Sequence, residues 1–149
     1  MNRPREAQLI IDDSERESDL LWVSAFRAGD PFTWLKDSRG SAVMLTDLEF
    51  GRGQKESRVD EVVSYSQMEQ GARQADGKPV AFEGVVLHLL RQREIDRVEV
   101  PARFPLRIAD ALREGGIEVV SRPDPFFPER AIKRADEITC LEESQAATE

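Results

Sequence analysis

Between Asp30 and Arg58 (DPFTWLKDSRGSAVMLTDLEFGRGQKESR) strand, turn, strand and helix signals follow one another without ambiguity, as they do nowhere else in the chain. Phe32, Trp34 and Leu35 are apolar and favour extended backbone, Asp37 to Ser41 is a polar turn holding Gly40, and Ala42 to Leu45 is an apolar run suited to a buried strand. Thr46, with Glu49 three residues later, has capping-box spacing: the Thr hydroxyl takes an amide proton of the first turn and the Glu side chain returns to the cap's own N–H. The stretch predicts a β-hairpin that runs straight into a helix.

Before it, Leu9, Ile10 and Ile11 form an apolar run closed by Asp12 and Asp13, which fits a strand covered on both faces. Ser14 and Glu17 repeat the capping-box spacing ahead of Leu20, Leu21, Val23 and Phe26, a helix of two to three turns that Gly29, Asp30 and Pro31 end. After it, Val59 to Tyr65 reads as a strand. Ser66 with Glu69 makes a third capping box before a short helix stopped at Asp76-Gly77. Pro79 then suits a first helical turn. From Val80 to about Arg93, Phe82, Val85, Val86, Leu89 and Leu90 fall within roughly 140° of a helical wheel, with Ala81, Gly84, His88 and Arg91 off the stripe.

Val98 and Val100 alternate with charges in a half-exposed strand ending at Pro101. Leu106, Ala109 and Leu112 give a helix, Gly115-Gly116 stops it, and Ile117 to Val120 is another strand, so this part is a βαβ unit with parallel strands. Pro123, Pro125 and Pro128 mark an extended connection, and a polar helix runs from about Pro128 to Glu149. Asp30-Pro31-Phe32 and Asp124-Pro125-Phe126 look alike, but their flanks differ and we read no repeat. The elements add up to an α/β fold: a mixed sheet of five or six strands, antiparallel in its first half and parallel in its second, with helices on both faces.

At 149 residues the chain is one domain by size and buries roughly 70% of the surface its unfolded form exposes. No apolar run reaches the roughly 20 residues of a membrane span. The opening MNRPREAQ lacks the apolar core of a signal peptide, and Cys140 stands alone without a disulfide framework, so we expect a cytoplasmic protein without a membrane partner. The net charge is −8, with arginines scattered among acids, which argues against nucleic acid as a partner.

Asp30-Pro31-Phe32, a hairpin, and an apolar strand ending in Thr46-Asp47-Leu48-Glu49 with Arg52 after it resemble the N-terminal domain of the creatinase, prolidase and aminopeptidase P family. There a hairpin strand enters a helix carrying Glu-x-x-Arg-Ala. Gly53 stands here in place of the Ala. Asp19 to Phe26 (DLLWVSAF) is similar to another part of that domain, with Ala25 replacing a Gly. Arg130-Ala131-Ile132-Lys133 followed by Glu137-Ile138 is similar to the helix that closes it. The resemblance implies a ribonuclease-H-like domain over residues 1–127 and a linker helix over 128–149 leading to a C-terminal catalytic domain. In the family that domain hydrolyses bonds next to proline, or related amide bonds, with two divalent metal ions (manganese, cobalt or zinc) held by carboxylates and a His. The resemblance implies no cofactor in this chain, a homodimer, and a proline-containing peptide as substrate of the parent protein.

Bland readings account for most reactive side chains. His88, the lone imidazole, lies opposite an apolar stripe and reads as a solvent-facing helix residue, and Cys140 reads as an inert thiol. Asp12 and Asp13 end a strand and read as turn caps rather than a metal-binding pair. No Gly-rich phosphate loop follows the first strand. Trp22, Phe32 and Trp34 read first as core. Beside Gly29-Asp30-Pro31 they also form a possible rim, and with Asp30 they are the interface or substrate-entrance candidates. The expected function is a non-catalytic N-terminal domain of a Xaa-Pro metallopeptidase that gives dimer contacts and shapes substrate access. The alternatives are a free-standing binding or dimerisation module of the same fold, and an independent hydrolase using its own carboxylates.

Overall fold

The computed structural model describes residues 5–148. Its strands are β1 (Glu6–Asp12), β2 (Phe32–Asp37), β3 (Gly40–Leu45), β4 (Glu61–Ser64), β5 (Arg97–Pro101) and β6 (Glu118–Arg122). Its helices are α1 (Ser18–Ser24), α2 (Asp47–Glu56), α3 (Tyr65–Asp76), α4 (Phe82–Gln92), α5 (Leu106–Glu114) and α6 (Ala135–Thr148). The six strands form one sheet in the order β4-β3-β2-β1-β5-β6. β1, β2 and β3 pair antiparallel, while β5 and β6 continue parallel to β1. β4 joins β3 in parallel, so the first half of the sheet is not wholly antiparallel. The ribonuclease-H-like reading stands in this order.

The hairpin turn is built by its own residues. Asp37 accepts the amide of Arg39 at 2.8 Å, and Gly40 takes φ +125°, a conformation costly for any residue with a Cβ. Strand alternation then sorts the side chains. Leu9, Ile11, Leu35, Met44, Val63, Val98 and Val100 point into a core closed by the apolar stripe of α4 and by α3 and α5. Ile10, Phe32, Trp34, Val43 and Leu45 enter a second core on the opposite face, closed by Leu20, Phe26, Phe126 and Phe127. The two Asp-Pro-Phe segments thus deliver Phe32 and Phe126 to one cluster. α2 lies on this second face. A Cβ at Gly53 would collide with Leu45 Cδ1, which is why a glycine fits where the resembling domains carry Ala.

None of the three expected capping boxes forms. Thr46 is the N-cap of α2 but makes no side-chain cap bond, and Glu49 turns to Arg52 at 2.6 Å. Ser14 exchanges hydrogen bonds with Ala28 across a loop, and Glu17 caps α1 instead. Ser66 donates to Asp47 at 2.7 Å, while Ser64, two residues earlier, caps α3. Pro79 precedes α4 by three residues, and Ala81 is the cap. The helix read from Leu106, Ala109 and Leu112 forms as α5, with Ala109 and Leu112 buried and Leu106 exposed at its start. The terminal helix is broken: a 3-10 turn at Pro128–Ala131 is followed by α6 from Ala135. Ala25, standing for a family Gly, ends α1 in the left-handed region at φ 54°.

Candidate functional site

Where the C-terminal end of β3 meets the start of α2, the surface opens into a cavity of about 190 Å³. Buried Ala28, Phe32, Met44 and Leu45 form its floor. Its wall includes Tyr65 and Phe82, whose rings stack at 5.9 Å. Exposed Asp30, Pro31, Thr46 and Leu48 form its rim, and Leu48 leaves 88% of its surface in water. A leucine so exposed beside an apolar hollow is the kind of feature that marks a contact surface. Two carboxylates stand at the opening. Glu49 is held by Arg52, which also reaches Glu56, the carbonyl of Arg27, and the face of Phe26 at 5.0 Å. Asp30 has no ion pair among the described residues, so the free negative charge at the mouth is its own. Burial pushes the Tyr65 phenol up, and Glu69 and Glu83 add to the shift. The cavity can receive an apolar side chain or a small ring, with Asp30 placed to attract a positive group beside it.

Of the four candidate residues, the structure brings two to this site. Asp30 is on the rim and Phe32, 5% exposed, is in the floor. Trp34 is wholly buried, edge-on to Phe127 at 5.7 Å, and can present no surface to a partner, because its strand position points it into the second core. Trp22 is half-buried away from the cavity, stacked between Phe127 and the Arg134 guanidinium. The sequence reading missed Leu48, Tyr65 and Phe82. Tyr65 and Phe82 are seventeen positions apart on different helices, and only the tertiary fold pairs them.

The remaining reactive groups have structural partners. Asp13 accepts from Arg16 Nε at 2.7 Å and from the Arg16 amide at 2.9 Å, closing the turn after β1. Those bonds hold its carboxyl below the usual value. His88 is not the solvent-facing residue its wheel position suggests. It is half-buried where α3 crosses α4, and a Cβ on Gly71 would stand 3.0 Å from its Nε2. Cys140 is exposed on α6. Among the described residues no three His, Cys, Asp or Glu side chains converge as metal ligands, so this donor set does not fit a two-metal centre.

No protein-family model matches the chain, and no curated protein does. Solved structures do. An X-Pro aminopeptidase from Thermotoga maritima superposes with a TM-score of 0.66 over 91% of this chain, at 16% identity. The prolidase from Pyrococcus furiosus gives 0.63 over 91%, at 12% identity. This chain spans 36% of the length of either enzyme. The creatinase/prolidase N-terminal domain of an X-Pro dipeptidase from Streptococcus pyogenes gives 0.52 at 7% identity, with 80% of this chain matched to 82% of that one. The chain has the creatinase/prolidase N-terminal fold. At these identities the likeness is one of fold, and it accounts for the element order around the cavity. The cavity lies at the open end of the hairpin, where residues of both cores meet the start of α2.

Proposed function

We infer that this chain serves as the non-catalytic N-terminal domain of a Xaa-Pro peptidase. The supporting observation is the match in extent: nine-tenths of the chain lies on about a third of two such enzymes, and most of it on an N-terminal domain solved by itself. In this reading the cavity rimmed by Asp30 and Leu48 faces the path of a peptide and limits what reaches the catalytic site. Exposed Leu48 supplies contacts between subunits of a dimer. The catalytic metals, manganese, cobalt or zinc, belong to residues of a C-terminal domain, since the described residues offer no matching donor set. The working compartment is the cytoplasm. No helix among the described residues is long and apolar enough to cross a membrane.

A second reading, a free-standing binding module, is favoured by one observation: both cores close within this chain and ask for no further domain. The gene beyond Glu149 separates the two. The first reading expects a continuing frame that supplies clustered Asp, His and Glu ligands, and an immediate stop codon supports the second. Calorimetry of this chain with manganese, cobalt and zinc, beside a proline-peptide hydrolysis assay, tests both. The expected result is no metal-dependent turnover, and micromolar metal binding with turnover would overturn both readings.

A further inference from the structure

The segment after β6 does not simply leave the domain. It crosses back over α1 and is fastened there at successive points. Phe126 and Phe127 plug the second core. Arg130 Nε then lies 3.0 Å from Asp19 Oδ1, on a carboxylate only 6% exposed. Four residues on, the Arg134 guanidinium covers the Trp22 ring at 5.0 Å. Asp19 and Trp22 are three apart on a helix, hence on one face. Arg58 adds an outer contact to Asp136 at 3.1 Å. Past Glu137 the contacts stop: residues 138–148 of α6 are all exposed.

We propose that Asp19 and Trp22 form a two-point buckle for the strap 128–137 and that this buckle sets the direction in which α6 leaves the domain. The chemistry suits a fastening that holds yet releases. The Asp19 carboxylate is buried, and its Oδ1 has no hydrogen bond, so the pull of Arg130 is a charge contact without hydrogen-bond alignment. Asp124 and Glu129 lie near enough to oppose that charge. Arg130 and Arg134 are both partly exposed, so a released strap finds water for its two cations. Local opening of this kind costs far less than global unfolding. The strap is a hinge whose closed state is set by two arginines, whether or not a catalytic half follows it.

The single native thiol permits a direct test. Nitroxides are placed on Cys140 of α6 and on Gln54→Cys, an exposed position of α2, and their distance distribution is measured by pulsed electron resonance on the full chain. The unaltered strap is expected to give one narrow distribution. Arg130→Ala with Arg134→Ala is expected to give a distribution about twofold broader, with the thermal melt of the body retained, and Arg130→Lys with Arg134→Lys to stay near the narrow one. Should the double alanine variant fail to fold, Arg134→Gln, which removes the Trp22 contact together with the local ion pairs to Asp136 and Glu137 but leaves Arg130 on Asp19, reads the same distance. A distribution already broad in the unaltered strap, or one left narrow by loss of both arginines, would overturn the buckle.

Discussion

Asp13 and Glu17 are four positions apart, and their surroundings push them in opposite directions. Asp13 is drawn below the ordinary 3.8 chiefly by its hydrogen bond from Arg16. Asp60 is drawn down by the amide and then the hydroxyl of Ser41. Glu17 and Asp19 are pushed up, in both cases first by burial, with Arg130 opposing the shift at Asp19. The consequences for stability have opposite signs. What Asp13 and Asp60 contribute is present above the unfolded carboxyl pKa and is lost as pH falls through their lower folded values. What Glu17 and Asp19 contribute is present below the unfolded pKa and is lost as pH rises through their higher folded values. A carboxyl-carbon NMR titration should therefore place Asp13 and Asp60 below 3.8 and Asp19 above it. An Asp19 midpoint at or below 3.8 would mean that Arg130 outweighs burial. These shifts were not legible in the sequence. Asp12 and Asp13 read correctly as turn formers, but nothing local shows that Asp19 will meet an arginine 111 positions away.

The elements were legible where backbone chemistry is local. The Asp37 turn with Gly40, the stop at Gly77 and the parallel β5-α5-β6 unit follow from residues within a few positions of each other. The capping boxes were misread for a common reason. In each, the Glu has an arginine or a nearer amide to serve, and two of the three hydroxyls have partners fourteen to nineteen positions away. Tertiary hydrogen bonds outcompeted the short-range pattern. Ser64→Ala, which removes the cap bond to the Gln67 amide, should cost about 1 kcal/mol. Thr46→Ala, whose hydroxyl caps nothing, should cost less than about 0.5 kcal/mol. Paired denaturant melts decide this, and equal losses would show that Thr46 caps after all. The cavity was legible only in part, since its lining comes from β2, β3, α2, α3, α4 and the loop before β2.

At the scale of the whole molecule, protection should follow burial. α6 has no buried residue, and a helix of this length is marginal in water without packing. Amide exchange by mass spectrometry should find residues beyond Leu141 nearly unprotected and the centre of β1 the slowest. Protection persisting to the end of α6 would reveal a partner for it. β1 is also where the order of synthesis matters. It lies in the middle of the sheet, yet its parallel neighbour β5 begins 85 residues after β1 ends, from Asp12 to Arg97. At ribosomal speeds of about 5 to 20 residues per second, that neighbour is made roughly 4 to 17 s later. During that wait the nascent chain carries the strands β1 to β4, with one side of β1 unpaired. The growing polypeptide is then most exposed to wrong pairing, and a chaperone has its window to act.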